Sequence, residues 1–336
     1  MKNLRLLIGC LTMYVLGHEI TIGQNRLRAV ESVDIETTTS FLADRCSIKL
    51  PSQVYGKAYN IEGKIKRGDK VTVKLGYNGD LKTEFVGYVK HLRPNSPFEI
   101  ECEDALYLFR KPITSKIWKN TTASTIAKYV VDEINKQLPK VDQMKLVTDF
   151  KGFEFSKFAI HQANGFEVLD SLRRQTGLAI FCVGNELHMH LQYTYKPGEA
   201  KYDMSRNVRE TTNLEYQNAS DALILVKVTG KDSKGKKIEA SAGEKGGDVR
   251  TINLPNVSTE ASLKSIAEQT RKGLIYTGYK GAIQGWLLPY CQVGYTAKIV
   301  DVDYPEREGR YYVSGVRTTF SRSTGGLRSV QLGIKI

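Results

Sequence analysis

Two stretches in opposite halves of this chain spell the same strand pattern, and any fold for it must accommodate both. Gly68-Asp69-Lys70-Val71-Thr72-Val73 stands beside Gly294-Tyr295-Thr296-Ala297-Lys298-Ile299. Downstream, Phe85-Val86-Gly87-Tyr88-Val89 matches Tyr312-Val313-Ser314-Gly315-Val316 with a one-residue shift. Each block reads as strand, turn, glycine-bearing strand, polar turn and final strand. Both close in alternation, Ile100 and Cys102 against Val330, Leu332 and Ile334. Strand side chains alternate between faces, so this pattern lines one buried face. Two unrelated β-meanders would look alike at this level. A true repeat implies two similar β-barrels in one chain.

The rest of the chain divides around that repeat. Residues 1–112 read as all-β: a run from Val30 to Ile35, then Cys46, Ile48 and Leu50 before Pro51, with Asn78-Gly79 supplying a hairpin turn. The texture changes at Pro112. Thr122 caps a predicted helix carrying Ile126, Val130, Ile134 and Leu138, ended by Pro139. Asn164 and Glu167 open a second helix with a capping box, and Gly177 stops it. A hairpin follows, with Gly184-Asn185 between Ala179–Val183 and Glu186–Leu191, so 113–205 is expected to be an α+β domain. From 206 to 336 strands return, as a second barrel interrupted by a helix-bearing insertion at about 249–285. Its helix is expected from about 259 to 272, with Gly273 after it. The fold class is therefore α+β, mainly β, with two similar tube-type β-barrel domains.

Charge adds little. The chain has 336 residues and a formal charge of +13, which invites a nucleic-acid partner because Lys and Arg displace phosphate counterions. The basic residues are dispersed, however. The densest group, Lys231, Lys234, Lys236 and Lys237, is broken by Asp232 and Gly235 and reads as a solvated turn. Five cysteines (Cys10, Cys46, Cys102, Cys182 and Cys291) show no CxxC spacing, which points to reduced thiols rather than a disulfide framework. Lys2 and Arg5 before Leu6-Leu7-Ile8-Gly9-Cys10 imitate a lipoprotein signal, but the apolar run falls short of the roughly 7–15 residues such a signal needs. A strand-turn-strand opening is expected instead, with no membrane insertion.

No nucleotide-binding, zinc-hydrolase, serine-hydrolase or calcium-loop motif is present, and no catalytic, cofactor-binding or metal residue is assigned. His188 and His190 share a strand face at metal-ligand spacing, but the hairpin register puts Cys182 on the opposite, apolar face with Ile180, Leu187 and Met189. The histidines are expected to be an exposed or interfacial pair. Asp301, Asp303 and Glu306 form one acidic cluster, and Glu101, Glu103 and Asp104 another; glycosidic acid–base work needs two carboxylates about 5–10 Å apart across a cleft, whereas acidic strand ends are commoner. Tyr276, Tyr279, Lys280 and Trp286 could stack bases or line a subunit interface, and the interface is the expectation.

The order of elements resembles the baseplate hub family of contractile phage tails, the late control protein D group and the hub region of type VI spike proteins. The resemblance is carried by Ala29–Glu36 before Cys46–Leu50, by the Gly68 and Phe85 hairpins, by Ile100–Phe109, by Asn164–Phe181, by Val226–Ala240, and by Gly281–Gly294 with Tyr312–Ile334. It implies two tube-like barrels per chain, assembled as a homotrimeric ring of pseudo-sixfold symmetry joining a sixfold tail tube to a threefold spike. The implied partners are the tail tube protein, the central spike protein and other baseplate proteins, with DNA only in transient passage. The implied place is the virion's tail baseplate, assembled in the bacterial host cytoplasm. No cofactor and no enzymatic activity are implied. A nucleic-acid-binding β-barrel protein is the alternative, and a cell-wall-degrading tail enzyme stands behind it.

Overall fold

Antiparallel neighbours, built from the alternating segments, dominate the molecule. The computed structural model describes residues 14–336 apart from 40–42, 55–56, 59–62, 95, 150–152, 210–211, 222, 233 and 245. The basic and apolar opening at Lys2, Arg5 and Leu6 to Cys10 lies outside the described residues. The first lobe contains β1 (Leu16–Ile22), β2 (Asn25–Leu27), β3 (Ser32–Thr38), β4 (Arg45–Leu50), a short ribbon of β5 (Gln53–Val54) and β6 (Lys57–Ala58), β7 (Lys70–Tyr77), β8 (Asp80–Arg93) and β9 (Phe98–Glu103). Its strands lie in the order β3-β4-β9-β8-β7-β1-β2. Ile20, Ile22, Ile48, Val71, Val73, Leu75 and Ile100 are all fully buried, as period-two patterning requires. Asn78 (φ 53°) and Gly79 (φ 84°) turn β7 into β8, the positive-φ pair that a tight hairpin with native twist demands.

The middle of the chain is an α+β module. It holds β10 (Lys116–Thr122), α1 (Ala123–Asn135), β11 (Lys145–Val147), β12 (Glu154–Ile160), α2 (Gly165–Thr176), β13 (Ala179–Val183) and β14 (Glu186–His190). Both helix starts follow the capping chemistry. Thr122 Oγ1 accepts from the Thr125 N–H, and Asn164 and Glu167 form a reciprocal capping box. Gly177 (φ 69°) ends α2 in the left-handed region. Ile126, Val130 and Ile134 of α1 and Val168, Leu169 and Leu172 of α2 meet in one core.

The remainder contains β15 (Glu199–Asp203), β16 (Asn213–Gln217), β17 (Ile224–Lys231), β18 (Lys237–Gly243), β19 (Asp248–Asn253), α3 (Glu260–Leu274), β20 (Gly278–Trp286), β21 (Thr296–Val300), β22 (Gly309–Ser321) and β23 (Gly325–Lys335). Strands β16-β20-β23-β22 form the second lobe in that order, with β21 on β22 and β15 parallel to β21. The class is mainly β, as the patterning implies, but three details differ from expectation.

First, the lobes are not two separate closed barrels. Strand β22 pairs with β3, so both lobes belong to one 13-stranded open sheet. The long β22 makes this possible: Gly309–Tyr312 pairs with β21, and Gly315–Ser321 pairs with β3. Second, the strand pairings redraw the insertion expected at about 249–285. Strands β17–β19 make their own sheet, and with α3 they pack on the middle module: Val226, Val228, Leu263 and Ile266 share the core of Ile126 and Leu172. Strand β20 pairs within the second lobe, and so does β15, expected in the middle domain. Third, Gly273 lies inside the last turn of α3, which ends at Leu274.

Candidate assembly surface

The two lobes share one hydrogen-bond scheme where the repeat begins. In the first, the Gly68 N–H donates to the Val89 carbonyl (2.8 Å) and the Val89 N–H to the Asp69 carbonyl (2.9 Å). In the second, the Gly294 N–H donates to the Val313 carbonyl (2.9 Å) and the Val313 N–H to the Tyr295 carbonyl (2.9 Å). This upholds the match of Gly68 with Gly294 and shifts the downstream one: Val89 answers to Val313, and Gly87 to Tyr311 rather than Gly315. Both lobes then break register at the same place, between Val89 and His91 and between Val313 and Gly315. Beyond the break, Leu92 faces Ile100 as Val316 faces Val330. Such bulges re-aim a strand, and here each turns the end of a long strand away from its first partner.

At the junction of the lobes, Gly315 faces Thr38, Arg317 faces Glu36 and Ser321 faces Ser32. The Thr39 N–H donates to the Ser314 carbonyl (2.9 Å), and Arg317 makes a two-pronged contact with Asp34 (3.0 and 2.6 Å). A buried ion pair backs it. Arg328 of β23 reaches Glu84 of β8 at 2.5 Å, with side-chain exposures of 1% and 5%. Arg328 also donates to the carbonyls of Leu287 (2.5 Å) and Pro289 (2.8 Å). Burial raises the Glu84 carboxyl despite the opposing arginine.

The residues singled out for chemistry serve this architecture. His188 and His190 are buried, at 4% and 5% exposure, which corrects the expectation of an exposed or interfacial pair. The segment after β14 folds back and lays the Tyr195 ring 4.9 and 5.3 Å from the two imidazoles, while Phe181 stacks on His188 at 5.4 Å. His188 Nδ1 lies 3.1 Å from His190 Nε2, and His190 Nδ1 lies 3.0 Å from Asp149. Burial, then the neighbouring imidazole, lowers the His188 pKa. Cys182 lies on the other face, in the core with Leu187 and Met189, and no group of ligands able to hold a metal occurs among the described residues. Cys46, Cys102, Cys182 and Cys291 are buried and unbridged.

Neither acidic cluster is arranged as a catalytic pair. Buried Asp301 accepts from the Tyr279 hydroxyl (2.6 Å) and the Tyr304 N–H (3.1 Å), while Asp303 and Glu306 are exposed. Burial and that hydrogen bond push Tyr279 up to about 12. Glu103 is clasped by Arg110 at 2.7 and 2.5 Å, Glu101 pairs with Arg93 at 2.6 Å, and Asp104 accepts from the Leu106 N–H at 3.0 Å. The aromatic group also divides. Tyr279 is buried, whereas Lys280 is exposed and half-exposed Trp286 lies under the Arg209 guanidinium (5.0 Å). The Lys231–Lys237 segment is a turn in which Asp232 accepts from the Lys234 and Lys236 N–H groups. What sequence reading missed is Glu84–Arg328, two isolated charges in alternating strands that only the tertiary pairing brings together.

No family model and no curated protein matches the chain. Solved structures do share its fold. The 43 kDa tail protein of prophage MuSo2 from Shewanella oneidensis superimposes with a TM-score of 0.68 at 15% identity, over 95% of this chain and 98% of that one. The tail protein from Neisseria meningitidis MC58 gives 0.66 at 12% identity, over 95% and 97%. An Escherichia coli component of the type VI secretion system gives 0.60 at 10% identity, over 94% and 76%. The chain thus shares its fold with these phage-type tail proteins and with that type VI component.

Proposed function

We propose that this chain is a structural baseplate hub of a phage or phage-derived contractile tail. It assembles as a trimer whose paired lobes present pseudo-sixfold edges to the tail tube, and its threefold symmetry meets the central spike. The observation that carries this reading is the repetition of one strand-and-bulge scheme in two lobes already joined through β3 and β22. A ring of such chains offers each tube subunit a similar edge, which a single-lobed trimer cannot do. Symmetric closure is the usual solution for homo-oligomers. The middle module and the β17–β19 sheet with α3 decorate the ring. The role is mechanical and non-enzymatic, in keeping with carboxylates that are engaged in ion pairs, caps and turns. The localisation is the virion, after assembly in the host cytoplasm, and no described helix is long and apolar enough to cross a membrane.

The test is reconstitution. The full chain, mixed with candidate tail tube and spike proteins from the same source, is examined by light scattering and negative-stain electron microscopy. Threefold rings seated between tube and spike are expected. A chain that stays monomeric beside both partners overturns the reading.

A further inference from the structure

The equivalence of the lobes leaves one junction unmade. Strand β3 has two neighbours, β4 and β22. Its counterpart in the second lobe is β16: Ile48 faces Ile100 as Ile283 faces Val330, which aligns Cys46 with Gly281, and these face Ile35 and Leu214. Yet among the described residues β16 pairs only with β20. The counterpart of β22 is β8. Where β22 passes its bulge and takes β3, β8 passes its own bulge at Lys90 and, among the described residues, takes no strand on that edge. An edge strand with unpaired N–H and C=O groups is a template for another chain.

Resting on the hub reading, we infer that β16 of one copy pairs antiparallel with the free edge of β8 in a second copy of this chain. The register follows from the internal junction. Gly315·Thr38, Val316·Thr37 and Arg317·Glu36 translate into His91·Gln217, Leu92·Tyr216 and Arg93·Glu215. Charge is compatible: Arg317 faces Glu36 while its side chain pairs with Asp34, and Arg93, which pairs with Glu101 in its own chain, faces Glu215 in this register. Apolar burial agrees as well. Leu92 and Tyr216 are only partly buried and pack against the cores of their lobes, and pairing continues those cores across the joint. Pro94 ends β8 just beyond, whereas β22 runs on to Ser321, so the joint between copies is shorter than the one within a chain. Each copy contributes one edge of each kind, so the contact is head-to-tail, and with the threefold rotation of the hub reading it closes into a ring.

The test uses two full-length variants, Arg93→Cys and Glu215→Cys, each mixed with wild-type tube and spike proteins. Strand β16 ends the sheet path and six strands separate it from β8, and a disulfide between separately purified variants reports a contact between copies. Oxidation of the mixture is expected to give a cross-linked pair as the major product, and the variant carrying both cysteines a linked trimer. Gln217→Cys in place of Glu215→Cys should link poorly. In a second measurement, Arg93→Glu and Glu215→Arg each reduce ring formation, and their combination restores it. Rings that form without the 93–215 link, or link equally well through 217, overturn the register while leaving the hub intact. Failure to form rings with tube and spike overturns the hub reading and this inference together.

Discussion

Strand β3 passes to β4 through residues 39–44, whereas its counterpart β16 reaches β20 only after β17, β18, β19 and α3. The same topological position is a short corner in one lobe and a whole subdomain in the other. A connection between hydrogen-bonded strands tolerates such growth because loop closure costs rise only slowly with length. The hydrogen-bonded skeleton, by contrast, is held to the bulge, at Lys90 and at Ser314. The strand-and-bulge scheme is shared between the halves, and the connection after β3 and β16 is not. Under the proposed hub reading, this separation would make the sheet edges the assembly surface and the appended modules additions to it.

The largest expected effect comes from breaking the lock between the lobes. Glu84→Ala leaves Arg328 charged and almost fully buried, and removing one partner of a buried pair costs about 3–5 kcal/mol. Denaturant unfolding should show that loss in a single transition, because Phe320 and Leu287 of the second lobe sit in the first lobe's core. Two separate transitions, or a loss below about 1 kcal/mol, would mean that the lobes are independent.

Next in size is the exchange of bulk between equivalent positions. Val71 faces Gly87 in the first lobe, and Ala297 faces Tyr311 in the second. A Cβ at Gly87 would meet the Glu103 carbonyl oxygen at 2.3 Å and the Phe85 ring at 2.7 Å. Gly87→Ala should therefore cost about 1–3 kcal/mol as overpacking, read by the shift in denaturation midpoint. A neutral result would show that both the Glu103 backbone and the Phe85 ring give way, so that the lobes tolerate each other's packing.

A subtler contrast is in acid–base behaviour. The first lobe's corner carries Asp44, which accepts from the Thr38 N–H at 3.2 Å. Burial raises its carboxyl to about 7, with that hydrogen bond opposing and Glu36 adding to the shift. A carboxyl raised in the folded state binds its proton more tightly there than in the unfolded chain, so stability falls as pH rises from about 4 toward about 7. His188 works in the opposite sense: its pKa is lowered, so stability is lost as pH falls through the ordinary imidazole range. Thermal midpoints measured across pH 4–8 should lose the first dependence in Asp44→Asn and the second in His188→Phe. If both variants keep the wild-type profile, neither group carries the linkage.

Local chemistry was legible in the sequence where one segment decides the outcome. The capping box at Asn164, the Asn78-Gly79 turn and the alternation of β7 all follow from residues within reach of one another. The hairpin register that separates Cys182 from His188 is legible for the same reason. The burial of His188 and His190 was not, because the Tyr195 that covers them is placed by the docking of β15 on β21. Nor could the joining of β22 to β3 be read, since it depends on a strand long enough to serve two partners. On the same ground, the grouping of β17–β19 with α3 could not be read. Strands β17 and β18 alternate like lobe strands, and only their shared core with α1 and α2 assigns them to the middle module.

The smallest expected effect is at the most visible contact. Arg317 and Asp34 meet in a two-pronged ion pair at the lobe junction, but their side chains are 60% and 41% exposed. Solvent screens such a pair, and ordering two side chains offsets much of its attraction, so Arg317→Ala should cost no more than about 1 kcal/mol. Glu84–Arg328, a similar pair on the other side of the same sheet joint, differs mainly in its burial. Measuring Arg317→Ala and Glu84→Ala in the same buffer at low and high salt separates the two. The Arg317 loss should shrink with salt, while the Glu84 loss should hardly move. A loss above about 2 kcal/mol at Arg317 would place the strength of the internal joint in its rim, and Arg93 and Glu215 at the joint between copies would inherit the same weight.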